Sequence, residues 1–206
     1  VATAQTTHRR AATELSEVEM IQPVIRSVLD HVGGISSVDF TVSGSTDYLA
    51  GQAFSFVMTL DAVGAWPPIQ ESHVEMDGAW ALYEAWLKIQ SGHADSALVY
   101  GYSKASPGDL PSVMSRGLDP YYYGPLWPAS IASAGLPARA MLDAGVITVE
   151  EMAQIAHRNR TAAINNPHAQ LKGSASVDEL LAAEMLSDPL RRHDCPPITD
   201  GGVAVV

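Results

Sequence analysis

Cysteine is almost missing from this chain of 206 residues: Cys195 stands alone, which excludes an internal disulfide framework and fits a reducing compartment. Positive charge is scarce as well. Twelve Lys and Arg face 23 Asp and Glu, a net charge of −11, and the basic clusters that hold nucleic-acid phosphates are absent. No apolar run approaches the roughly 18–20 residues of a membrane span, and the N-terminus shows no basic-then-apolar signal. Neither nucleic acid nor membrane is expected as a partner, and the expected location is cytoplasmic. The patterns GxGxxG, CxxC and the P-loop are missing too. His157 and His168 lack a partner at ligand spacing, so no metal is expected.

What is there is apolar: hydrophobic residues make up 47%, enough for a core in one domain or two small ones. Val18, Ile21, Ile25, Val28, Leu29 and Val32 predict an amphipathic helix over 17–32, ended by Gly33-Gly34. Val38, Phe40 and Val42 alternate with polar residues, predicting a half-buried strand. Gly44-Ser45-Thr46-Asp47 reads as a turn ending in a helix cap. The next helix is expected from about Tyr48 to Ala62, with Leu49, Ala53, Phe56, Val57 and Leu60 on one face and small Ala50, Gly51 and Ala53 for close packing. Residues 103–127 hold Pro107, Pro111, Pro120 and Pro125 and read as a long loop; loops of that length are often functional covers. Helices follow over 129–145, from the capping box at Thr148–Glu151 to about Asn165, and from the box at Ser176–Glu179 to about Ser187. The order predicts an α/β fold: a core over 1–102, a loop or cap domain over 103–193 and a return strand over 194–206. Both ends read as strands that have been cut.

The chain is organised around residues 71–102. Over Met76–Gln90 only Asp77, Glu84 and Lys88 are charged, on one narrow stripe, so the helix is expected to be buried on nearly all sides. On that expectation, Trp80→Ala or Trp86→Ala costs about 3–5 kcal/mol. The strand that follows carries the unbroken run Ala97-Leu98-Val99, which suits a sheet covered on both faces. His73, Glu75 and Asp77 gather where a helix presents unpaired N–H groups. Two readings stand for them. The carboxylates cap the helix, the commoner role, or they act as general bases with His73 as proton partner. Cys195 is either a small buried hydrophobe or a nucleophile. Tyr121, Tyr122, Tyr123 and Trp127 either line an apolar pocket for a bulky substrate or serve as packing and dimer contacts.

Three segments carry a family resemblance: SGSTDYLAGQAF (43–54), ESHVEMDGAWALYEAWLKIQSGHADSALVYGY (71–102) and DCPPITDGGVAVV (194–206). They resemble the thiolase superfamily, specifically the sterol-carrier-protein-type thiolases and the actinobacterial lipid-transfer-protein branch. The resemblance implies a layered α/β/α/β/α fold, of which this chain would be the N-terminal half plus the inserted loop domain. Thiolases place a nucleophilic cysteine three residues before the glycine that matches Gly78; here that position is Glu75. A carboxylate cannot replace a thiolate as acyl acceptor in the same way.

Relatives without the cysteine resemble aldolases of steroid side-chain breakdown, which cleave a 3-hydroxyacyl-CoA with a small OB-fold, zinc-ribbon partner. The chemistry implied is retro-aldol cleavage of a coenzyme A thioester with no bound cofactor. His73, Glu75 and Asp77 are then the catalytic candidates, and Tyr121, Tyr122, Tyr123 and Trp127 the substrate-binding ones. The fold family also implies a homodimer, with residues 68–75 as a candidate contact. A degenerate acyltransferase and a non-catalytic acyl-CoA-binding subunit remain as alternatives, and whether the chain is itself an enzyme stays open.

Overall fold

The computed structural model describes residues 1–50 and 54–206, apart from the side chains of Tyr48 and Ala50. It divides into two compact units, Val1–Gly108 with Thr199–Val206, and Asp109–Ile198. The first unit holds β1 (Thr3–Gln5), α1 (Glu17–Val32), β2 (Phe40–Ser45), α2 (Asp47–Ala50), α3 (Ser55–Val63), β3 (Gln70–Glu75), α4 (Gly78–Gln90) and β4 (Ala97–Ser103). The second holds α5 (Leu110–Arg116), α6 (Ser130–Asp143), α7 (Val149–Ala163), α8 (Val177–Ala182), β5 (Met185–Ser187) and β6 (Leu190–Arg191); β7 (Gly201–Val205) returns to the first.

A five-stranded mixed sheet, ordered β1-β7-β4-β2-β3, forms the centre of the first unit. Strands β3, β2 and β4 are parallel, and β7 runs antiparallel between β4 and β1. On one face, Ile21, Ile25 and Val28 of α1 and Ala62 and Val63 of α3 pack against Leu98, Tyr100 and Tyr102. On the other, Ala81 and Ala85 of α4 pack against Phe40, Val42, Ala97 and Val99. Both faces are covered, so β2 is buried along its whole length rather than half-buried as its alternating pattern predicts. Its polar Thr41, Ser43 and Ser45 are carried inside with it.

The start of α1 is capped as its sequence suggests. Ser16 accepts from Glu19 N–H, and the Glu19 carboxylate accepts from Ser16 N–H. The expected 48–62 helix is replaced by the separate α2 and α3, with Phe54 at φ 59° before the second. Gly51 and Ala53 of its predicted packing face lie outside the described residues.

Helix α4 departs most from expectation. Among its buried residues are only the small Ala81 and Ala85, while Trp80 is 50% and Trp86 52% exposed. The reason lies in how closely the helix sits on the sheet. A Cβ on Gly44 would collide with the Asp77 carbonyl, and one on Gly101 would come within 3.0 Å of the Gly78 Cα. Small residues allow that approach, and the large side chains are left pointing away. Trp80 packs edge-on against Tyr83, and Tyr83 stacks on Trp86 along the outer face.

In the second unit, the capping boxes at Thr148–Glu151 and Ser176–Glu179 form as predicted. Helix α8 ends at Ala182, short of Ser187, because residues 185–191 pair as a small hairpin. The 103–127 stretch is less irregular than its prolines suggest, since α5 and a 3₁₀ turn at Gly124–Leu126 lie within it.

Candidate functional site

Strands β2 and β3 are neighbours whose following connections leave toward opposite faces of the sheet, α3 on one and α4 on the other. In open α/β sheets the crevice at the carboxyl ends of such a strand pair is where ligands bind. The register places Ser43 beside His73 and Ser45 beside Glu75 at these ends.

The residues there form one connected hydrogen-bond network. His73 Nδ1 lies 2.8 Å from Ser43 Oγ, and its Nε2 lies 3.3 Å from Glu75 Oε2. Phe56 stacks flat on the imidazole, with ring centroids 4.2 Å apart. The other Glu75 oxygen accepts from the Asp47 main-chain N–H at 2.9 Å. Glu75 is thus held at both oxygens, yet its side chain remains 47% exposed and open to a ligand.

Beneath this pair lies Asp47, 6% exposed. Its carboxylate accepts from Ser45 Oγ at 2.8 Å, from Ser55 N–H at 2.9 Å and from Ser55 Oγ at 2.5 Å. Three donors stabilise a buried carboxylate. Ser55 Oγ also lies 3.1 Å from the Tyr102 hydroxyl. Burial pushes the Tyr102 and Tyr100 hydroxyls above the usual tyrosine range, against the lowering effect of their serine and threonine neighbours. Both therefore stay neutral, able to donate as well as accept.

The third predicted residue has a different place. Asp77 is the N-cap of α4: its Oδ1 accepts from Ala79 N–H at 2.9 Å and Trp80 N–H at 3.1 Å. Alternation along an extended segment would put it beside His73 and Glu75, but β3 stops at Glu75 and the chain turns into the helix. Thr46 Oγ1 bonds the Met76 carbonyl and ties that turn to the end of β2.

Asp47, His73 and Glu75 each offer a ligand atom, all within 4.8 Å of one another, and so could meet around a cation. Sequence spacing gave no sign of this because Asp47 opens α2 after β2, while His73 and Glu75 lie on β3. Asp47 already accepts three hydrogen bonds, Glu75 Oε1 accepts one, and both His73 nitrogens have partners, which leaves few lone pairs for an ion.

Tyr121, Tyr122, Tyr123 and Trp127 belong to the second unit and are exposed; Asp119 accepts from the N–H groups of Tyr121 and Tyr122 and sets their turn. Cys195 is also in that unit and partly buried. Burial, with Asp194 beside it, pushes its thiol up and disfavours the thiolate a nucleophile needs.

Comparison with solved structures identifies the fold. A structure described as the Ltp2-ChsH2(DUF35) aldolase matches 98% of this chain and 53% of its own, with a TM-score of 0.72 at 20% identity. Human mitochondrial 3-ketoacyl-CoA thiolase in complex with CoA matches 99% of this chain and 62% of its own, with a TM-score of 0.70 at 13% identity. The architecture is the layered α/β fold of thiolases.

Sequence relatives agree. An acetyl-CoA acetyltransferase of Methanothermobacter thermautotrophicus is 30% identical over 146 residues, covering 68% of this chain and 37% of the relative. Human sterol carrier protein 2 is 29% identical over 142 residues, covering 63% and 25%. No protein-family model matches. The chain belongs to the thiolase superfamily, with similarity to sterol carrier protein 2 as well as to acetyl-CoA acetyltransferases. It spans 25–37% of these curated relatives and 53–62% of the solved chains.

Proposed function

We propose that this chain carries part of a thiolase-fold site for retro-aldol cleavage of a 3-hydroxyacyl-CoA, with a bulky, steroid-like acyl group as substrate. The carrying observation is the His73–Glu75 pair, held at a strand end where the thiolase resemblance calls for a cysteine. Retro-aldol chemistry needs a base for the hydroxyl proton and a means of stabilising the departing enolate; it needs no acyl-enzyme. Glu75 takes the hydroxyl proton, the Cα–Cβ bond breaks, and the enolate of the shortened thioester is reprotonated as the ketone leaves. His73 shares the proton with Glu75. Asp77 serves the same region as the cap that seats α4. The exposed rings of Tyr121, Tyr122, Tyr123 and Trp127 are the proposed contacts for the acyl group.

The reading extends to assembly. Strand β3 is the outer strand of its sheet and is the proposed contact of a homodimer. A small OB-fold, zinc-ribbon protein is the proposed holder of the thioester, and the proposed setting is cytoplasmic; among the described residues, no helix is long and apolar enough to cross a membrane. The exposed row of Trp80, Tyr83 and Trp86 on α4 is the proposed face for a further layer of the fold.

Full-length protein with its small partner, incubated with a 3-hydroxyacyl-CoA steroid, should release a ketone, and Glu75→Gln should abolish that release. No ketone from the native protein, or the same yield from the variant, would sink the proposal. A thiolase-type acyl transfer is the weaker reading, since Cys195 has a raised pKa.

A further inference from the structure

Asp47 has no direct contact with the imidazole of His73 among its hydrogen bonds, yet it holds the His73–Glu75 pair by two separate routes. Its main-chain N–H donates to Glu75 Oε1 at 2.9 Å. Its carboxylate binds the first residue of α3, at Ser55 N–H and Ser55 Oγ, and also Ser45 Oγ at the end of β2. The next residue of α3 is Phe56, whose ring lies parallel to the imidazole at 4.2 Å, with 11° between the planes. One buried carboxylate therefore clamps the end of β2 to the start of α3 and sets the ring that lies on His73.

We propose that Asp47 is the positioning residue of this site, fixing the orientation of the His73 ring through Ser55 and Phe56 while its backbone fixes Glu75. The proposal rests on the retro-aldol reading for its consequence in turnover, but not for its geometry. A general base shares its proton efficiently only when donor and acceptor are held at hydrogen-bond distance and in line. His73 Nε2 and Glu75 Oε2, at 3.3 Å, are at the long end of that range, so a small rotation of the imidazole breaks the contact. The stacked Phe56 resists that rotation. Ser43 pins the opposite nitrogen, which makes the ring a two-point bearing with Phe56 as its plate.

Asp47→Asn keeps the size of the side chain and the backbone N–H to Glu75, but replaces one acceptor with a donor facing Ser55. It separates the two routes. The readout is the NMR position of the His73 ring protons in the full-length protein, assigned by their disappearance in His73→Gln. In the native protein the Phe56 ring current moves them upfield. Asp47→Asn is expected to return them toward ordinary positions, and Ser55→Ala to move them part of the way.

Ketone release is expected to fall in kcat by about tenfold in Asp47→Asn, with KM within about twofold, as for lost positioning rather than lost binding. Should Asp47→Asn fail to fold, Ser55→Ala carries the test. Ring protons that stay in place in the folded variants overturn the proposal, and so does a displaced ring with unchanged kcat. If the native protein releases no ketone at all, the retro-aldol reading falls, and the ring protons alone judge Asp47.

Discussion

Helices α1 and α4 lie on opposite faces of one sheet and are both rich in apolar residues, yet they bury very different parts of themselves. In α1, Ile21, Ile25, Val28 and Leu29 of the predicted stripe are buried and are joined by Met20 and Val24, while Val18 and Val32 are half-buried. In α4 the buried side is Ala81 and Ala85, and the tryptophans face outward. Apolar content sets how much surface a helix would gain by burying; it does not say how much is covered within one unit. Helix α1 fills a gap with large side chains, whereas α4 is drawn in until its backbone nearly touches the glycines of β2 and β4.

The contrast can be broken by substitution, and the largest effect is expected in α1. Ile25 is fully buried, and Ile25→Ala should destabilise by about 3–4 kcal/mol in a urea melt. A loss under about 1 kcal/mol would mean that α1 is not the main cover of its face. On the α4 side, size should matter in the opposite sense. Gly44→Ala puts a methyl into the Asp77 carbonyl and should cost about 2–3 kcal/mol, with ketone release lost as the Asp77 turn shifts.

Truncating the outer face should barely register. Trp86→Ala or Trp80→Ala in this chain is expected to cost less than about 1 kcal/mol, well short of the fully buried case. A larger loss would show that their stacking with Tyr83 holds the helix.

A change of opposite sign sharpens the α1 side through pH. Glu17, in the first turn of α1, is 6% exposed, and its Oε2 has no hydrogen-bond partner among the described residues. Burial pushes its carboxyl above the ordinary range; Lys104 opposes this and Asp47 adds to it. A raised folded-state pKa means that the protonated form stabilises the fold below the unfolded pKa, and that this stabilisation is lost as pH rises through the folded one. Glu17→Gln should therefore gain about 1 kcal/mol at pH 7, with the gain shrinking as pH falls toward 4.5. An equal gain at both pH values would remove ionisation as the cause.

The two helices also show what could be read in advance. The span 17–32 was legible because its apolar period and its Ser16–Glu19 box are local, and the same holds for the boxes at Thr148 and Ser176. Glu75 and His73 were legible as a pair because they are two apart on one strand. Asp77 was legible as polar at a helix start, but whether it capped or reacted depended on where β3 stopped. Asp47 read only as a helix cap: its hydrogen bonds reach Ser55, 8 positions away, and Glu75, 28 positions away.

By itself the sequence determined the α1 helix, the capping boxes and the presence of a carboxylate where the thiolase resemblance expects a nucleophile. These depend on residues within a few positions of one another, or on short contiguous motifs. Only the tertiary structure decided that α4 turns its tryptophans outward, that β2 is buried throughout, and that Asp47 anchors the His73–Glu75 pair. Each of these depends on strand order and on how near two backbones approach, and those distances are set across the sheet rather than along the chain.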